Sequence, residues 1–105
     1  MGYTLSLKFL FAVSIDKPKN TNLTMSTNSS LCLDDHISLE CTTDADPPAH
    51  QYLIYVNDQL LETYNTSRIS FNTSNAGNNT YKCQPKNTVG LGESASVLIN
   101  TKGMY

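Results

Sequence analysis

Three cysteines, two histidines and a scatter of aspartates are the residues of this 105-residue chain whose side chains could carry chemistry. Cys32, Cys41 and Cys83 are widely spaced and include no C-x-x-C pair, which fits neither a zinc ribbon nor a thioredoxin-like redox site. A disulfide suits them better. Cys41 and Cys83 both lie in segments that alternate apolar and polar residues, His36–Cys41 and Tyr81–Cys83, and each cysteine falls on the apolar face. A bond between them closes a loop of 42 residues, for roughly 4 kcal/mol in the chain-entropy account of disulfides. Cys32 is left over: it pairs outside the domain, stays free and buried, or competes with Cys41 for Cys83. His36 and His50 have no third metal ligand at helix or hairpin spacing, and no Ser or Cys stands in a nucleophile motif. Asp34, Asp35, Asp44 and Asp46 match no EF-hand loop, and aspartate in turns is the stronger reading of them. Without a convergent acid, base and nucleophile the chain is expected to be no enzyme, with no cofactor and no metal.

The compartment follows from the same kind of counting. Five N-x-[S/T] triplets occur, at Asn22, Asn28, Asn65, Asn72 and Asn78, where the chain's Asn, Ser and Thr content gives roughly two by chance. Sequons and a disulfide agree on an extracellular setting, either a secreted protein or the ectodomain of a membrane protein. The formal net charge is -2 and no Lys/Arg cluster exists, so the electrostatic footprint of nucleic-acid binding is missing. No run of 18 apolar residues occurs, so this segment is expected to insert no helix into a membrane.

The elements that must position these residues are short strands. In residues 1–19, Tyr3, Leu5, Leu7, Phe9, Phe11, Val13 and Ile15 share one face by period two, as a strand or the remnant of a neighbouring module requires. The competing reading, a degenerate signal peptide, has an apolar core of only Phe9–Val13, with Lys8 beside it. Lys17-Pro18-Lys19-Asn20 breaks the pattern, and the domain is expected to run over residues 20–100, with 101–105 as a linker or tail. Within it, strands are predicted at Asn22–Ser26, His36–Thr43, Tyr52–Val56, in a short segment carrying Leu60 and Leu61, at Arg68–Asn72, Thr80–Gln84 and around Ala95, Val97 and Ile99. Asn57-Asp58 and Asn87–Gly92 are the intervening turns, and Thr73–Asn79 is a loop. About seven short strands with no helical period anywhere predict an all-β, two-sheet antiparallel sandwich.

Cys41, Pro47-Pro48, Ile54-Tyr55-Val56-Asn57-Asp58 and the run Tyr81-Lys82-Cys83-Gln84-Pro85-Lys86-Asn87-Thr88-Val89-Gly90 resemble an immunoglobulin-like domain of the intermediate set, over about residues 20–100. The resemblance implies Greek-key connections, with Cys41 on strand B bonded to Cys83 on strand F. It also implies a tyrosine corner in which the Tyr81 hydroxyl bonds backbone a few residues upstream. The chain has no Trp, so Ile54 stands in for the usual core ring, and Tyr52, Tyr55 or Phe71 is expected to fill the vacated volume. Gly77 and Asn79 occupy the places where the family carries Asp-x-Gly. Asn87 and Gly90 are expected to shape the F–G hairpin, with Gly90 at positive φ.

The resemblance also implies that the B–C loop, Asp44–Ala49, and the F–G loop, Lys86–Gly92, share one end of the sandwich. Neither loop contains a sequon. Asp44, Asp46, His50, Lys86, Asn87, Val89 and Leu91 are therefore the candidate binding residues. The expected function is a non-catalytic extracellular module for protein–protein recognition or cell adhesion, its partners being other proteins, copies of itself or neighbouring domains. The alternative is a structural spacer in a tandem extracellular array.

Overall fold

The computed structural model describes residues 15–25 and 31–103. The strand reading of residues 1–14, the sequon at Asn28 and the last two residues lie outside these. Eight strands follow in chain order: β1 (Asp16–Met25), β2 (Leu31–Cys32), β3 (His36–Asp46), β4 (Gln51–Val56), β5 (Gln59–Tyr64), β6 (Arg68–Asn72), β7 (Gly77–Lys86) and β8 (Ala95–Lys102). They form two sheets, ordered β1-β3-β6 and β2-β8-β7-β4-β5. Every ladder is antiparallel except that of β2 with β8.

The period-two pattern builds the core directly. Ile37, Leu39 and Cys41 of β3, Ile69 of β6 and Leu23 of β1 point inward from one sheet. Tyr52 and Ile54 of β4, Tyr81 and Cys83 of β7, Ile99 of β8 and Leu31 of β2 meet them from the other. Cys41 and Cys83 are disulfide-bonded across the sandwich, with Cα atoms 6.4 Å apart. Ile54 lies directly opposite Cys83 in the β4–β7 ladder and is fully buried, so an aliphatic side chain flanks the bridge in the place where the resemblance implies a ring. Tyr52 and Phe71 help fill the core, and the Phe71 ring centroid lies 5.6 Å from that of Tyr81. Tyr55 does not. It alternates to the outer face, where the Lys82 ammonium sits 4.8 Å from its ring centroid.

The strands outrun their predicted limits where tertiary contacts compensate for a poor local sequence. β1 passes through Lys17–Asn20, and its ladder to β3 absorbs the proline with register shifts on both sides of Lys19. Pro18 is buried, and its carbonyl accepts the Glu93 N–H at 2.9 Å. β7 begins at Gly77 rather than Thr80 because β8 continues to Lys102, so that Gly77 pairs with Thr101. Thr101 is therefore buried in a strand, where the sequence predicts a tail. Asn57 and Asp58 have φ of 51° and 68°, the left-handed pair that a two-residue hairpin between β4 and β5 requires.

Gly92 fixes how the start of β1 seats on the loop between β7 and β8. A Cβ there would overlap the Pro18 backbone. Gly92→Ala is expected to destabilise the domain by about 1–3 kcal/mol, as overpacking does. Chemical denaturation of the purified variant measures this, and an unchanged midpoint would mean that β1 seats elsewhere.

Candidate binding surface

Three segments converge at the end of the sandwich where β1 begins. Asn87 is their junction. Its side-chain Nδ2 donates to the Asp16 carbonyl at 2.7 Å and to the Pro47 carbonyl at 2.9 Å. Its Oδ1 accepts the N–H groups of Val89 at 3.0 Å and Gly90 at 3.2 Å. The His50 N–H donates to the Lys86 carbonyl at 2.9 Å, and Lys86 forms a bridge with Leu91. The loop after β3, the loop between β7 and β8 and the entry to β1 are thus tied together by one amide.

Asn87 itself is fully buried, which corrects its expected place among the side chains offered to a partner. An amide with both donors and acceptor engaged inside the loop cluster has nothing left to present. Asp44 and Asp46 lie in β3, paired with β1, rather than in the loop expected from Asp44 onward; both are exposed, as is His50, and Lys86 is half-buried. Val89 and Leu91 are 38% and 46% exposed, which is high for aliphatic side chains beside one another. The fold adds Ile15, 62% exposed, to the same shallow groove, together with Lys17 and Pro18. Ile15 is the last member of the period-two apolar series, which gives its face along the chain; its place beside Val89 and Leu91 comes only from where β1 is seated. Gly90 has a φ of 153°, with the aliphatic chain of Lys17 against it.

The sequon asparagines among the described residues, Asn22, Asn65, Asn72 and Asn78, are all exposed and lie outside these two loops. The Asn72 Oδ1 faces the His36 ring at 3.4 Å, and the Asn78 Oδ1 accepts from Asn100 at 2.8 Å. Asp35 serves its turn, accepting the Cys32 N–H at 2.8 Å, and Asp44 accepts from the Asn20 side chain at 3.1 Å. No group of three His, Cys, Asp or Glu side chains among the described residues is placed to hold a metal ion.

Cys32 is free and exposed, which corrects the buried reading. In the two-residue strand β2, Leu31 takes the inward position and alternation turns the next residue out. The tyrosine corner is also rebuilt. Tyr81 is buried, yet its hydroxyl makes no hydrogen bond to another described residue. The corner is held by Asn79, whose Nδ2 donates to the Asn75 carbonyl at 2.8 Å and whose Oδ1 accepts from Asn57 at 2.9 Å. With Gly77 and Asn79 in the places of Asp-x-Gly, the turn before Tyr81 is closed by an inward amide.

Burial raises the pKa of Tyr81 above its ordinary 10.0 because the phenolate loses hydration. Tyr64 is raised as well, by burial and then by the charge of Glu62. A raised phenol stabilises the fold below the unfolded value and loses that contribution as pH climbs through the folded one. Stability is therefore expected to fall above about pH 10, and Tyr81→Phe to flatten the fall. Denaturation midpoints across the alkaline range test this; identical slopes for the two proteins would count against it.

Comparison with known proteins agrees with the architecture. No curated protein matches the chain. Among solved structures, a fibronectin(III)-like module of Clostridium thermocellum CbhA superposes with a TM-score of 0.62 at 10% identity, covering 81% of this chain and 99% of that one. The PKD domain of an M14-like peptidase from a Thermoplasmatales archaeon gives 0.61 at 12% identity, covering 85% and 99%. At such identities the likeness shows the sandwich fold alone. No helix among the described residues is long and apolar enough to cross a membrane. The immunoglobulin domain family matches residues 18–101, a span that takes in the Cys41–Cys83 bridge and all of both sheets but the outer ends of β1 and β8, and the chain belongs to that family.

Proposed function

We propose that this chain is a non-catalytic extracellular module of the intermediate immunoglobulin set that recognises other proteins through the end carrying Asp44–Ala49 and Lys86–Gly92. The observation that carries the reading is the gathering of Ile15, Val89 and Leu91, all exposed, at an end whose loops hold no sequon. The other exposed large aliphatics, Leu60, Leu61 and Leu98, lie on β5 and β8, nearer to Asn65, Asn72 and Asn78. The intermediate set is supported by the first edge of the sandwich, which passes from β1 in one sheet to β2 beside β8 in the other. Extracellular placement is supported by the buried disulfide and the exposed sequons, which we read as N-glycan acceptors.

A spacer role has its own support. Asn87 holds Asp16 at the same end, so a preceding module in a tandem array would lie against the same loops.

Two measurements test the proposal. Intact mass of protein secreted from eukaryotic cells, before and after deglycosylation, should show glycan mass, with one thiol alkylated under native conditions. Three reactive thiols and no glycan on folded protein would sink the extracellular assignment. Staining of cells by a multimerised domain should be lost in Leu91→Glu and kept in Leu98→Glu. Equal loss in both, or in neither, would move the recognition surface away from this end.

A further inference from the structure

We infer that the apolar crevice in the seam between β5 and β6 seats the innermost N-acetylglucosamine of a glycan on Asn72; the inference rests on the reading of the exposed sequons as glycan acceptors. β5 and β6 are edge strands of opposite sheets. Val56, Leu60, Leu61, Phe71 and Tyr81 line a crevice of about 140 Å³ there, and its two leucines are 55% and 44% exposed. Asn72, the last residue of β6, lines it too, and no other sequon asparagine among the described residues does. The walls are apolar, but one of them carries a polar group. Tyr81 is 1% exposed, and its hydroxyl has no protein partner. Thr101 Oγ1 is the one side-chain polar atom among the described residues that is both sealed from water and without a partner. The phenol oxygen is therefore not sealed, and the crevice that Tyr81 lines is where it opens.

Connection, rather than shape alone, selects the occupant. The sequon Asn72-Thr73-Ser74 stands at the rim. The Asn72 Oδ1 faces the His36 ring at 3.4 Å, which leaves the amide nitrogen, the atom that a glycan is bonded to, outside that contact. A crevice of this volume is close to the cavity that takes a benzene ring, so it accepts one sugar and not a branched chain. N-acetylglucosamine offers a C–H face and an acetyl methyl to the leucines and rings, and an acetyl carbonyl that accepts from the Tyr81 hydroxyl. So small a contact is weak between free molecules. Tethering at the rim raises the sugar's effective concentration to roughly millimolar, and the contact is then populated. It also covers two leucines that otherwise stand open to solvent.

The full chain, secreted from eukaryotic cells with high-mannose glycans and trimmed by an endoglycosidase to one N-acetylglucosamine per site, tests the inference. Glycopeptide mass should show sugar at Asn72. In NMR spectra the acetyl methyl at that site should be shifted upfield by the Phe71 and Tyr81 rings, with cross-peaks to the Leu60 and Leu61 methyls. Asn72→Gln and Ser74→Ala, which each abolish the sequon, should both lower the thermal midpoint by roughly 3 °C or more, and Asn65→Gln should leave it unchanged. In the exposed-residue background Leu60→Ser/Leu61→Ser, Asn72→Gln should cost nothing further. An acetyl methyl at its solvent position, or a midpoint loss that persists in that background, overturns the inference and leaves the glycan reading intact. Sugar at Asn22 or Asn65 but not at Asn72 does the same. No sugar at any sequon overturns both.

Discussion

Cys83→Ala is expected to cost about 2–5 kcal/mol of stability and to reduce secreted yield severely. The bridge joins β3 of one sheet to β7 of the other and closes 42 residues of chain. Both cysteines are fully buried, so the substitution also leaves Cys41 as a lone thiol inside the core. The domain has little in reserve. A chain of this size buries only about two-thirds of its unfolded surface, and no tryptophan adds area beside the bridge. The thermal midpoint should fall by more than roughly 10 °C. The double variant Cys41→Ala/Cys83→Ala should lose as much, which separates loss of the cross-link from mispairing with the exposed Cys32. A midpoint unchanged in the double variant would show that the sheets hold together without the bond.

The second large effect is expected at Asn87. Asn87→Ala removes two donors from the carbonyls of Asp16 and Pro47 and one acceptor from the N–H groups of Val89 and Gly90. At about 1 kcal/mol for each bond lost, with some N–H groups regaining water, the cost is about 3 kcal/mol. The local consequence matters more than the total. The amide is what holds both loops and the entry to β1 in one surface, so the groove around Val89 and Leu91 should lose its shape before the sheets melt. Amide hydrogen exchange should accelerate at Val89 and Gly90 while the amides of β4 and β7 stay protected. Asn87→Asp keeps the acceptor but turns a carboxylate toward two carbonyls, and it should be at least as damaging. Unaltered exchange at Val89 and Gly90 in Asn87→Ala would remove the amide from its place as the tie.

Much of the architecture is legible in the sequence because strand alternation is a local property. Ile37, Leu39 and Cys41, or Tyr52 and Ile54, face the core in steps of two, and no helical period competes. Asn57-Asp58 announces its hairpin by residue type alone, since both residues tolerate positive φ. The strand ends were less legible. Pro18 lies in β1 and Thr101 in β8 because a neighbouring strand supplies the pairing that the local sequence lacks.

The candidate surface was legible only as two loops. Their adjacency, the burial of Asn87 within them and the arrival of Ile15, Lys17 and Pro18 beside them depend on bonds between residues 40 and 71 positions apart. The same holds for the corner near Tyr81, where Asn79 and Asn57 meet across 22 residues. By itself the sequence determined the class of fold, the inward face of most strands and the cysteines able to bridge them, because period and residue type act within a few positions. Only the tertiary structure decided which polar side chains would be consumed as ties and which left for a partner. That depends on where distant backbone groups arrive, and local pattern carries no record of it.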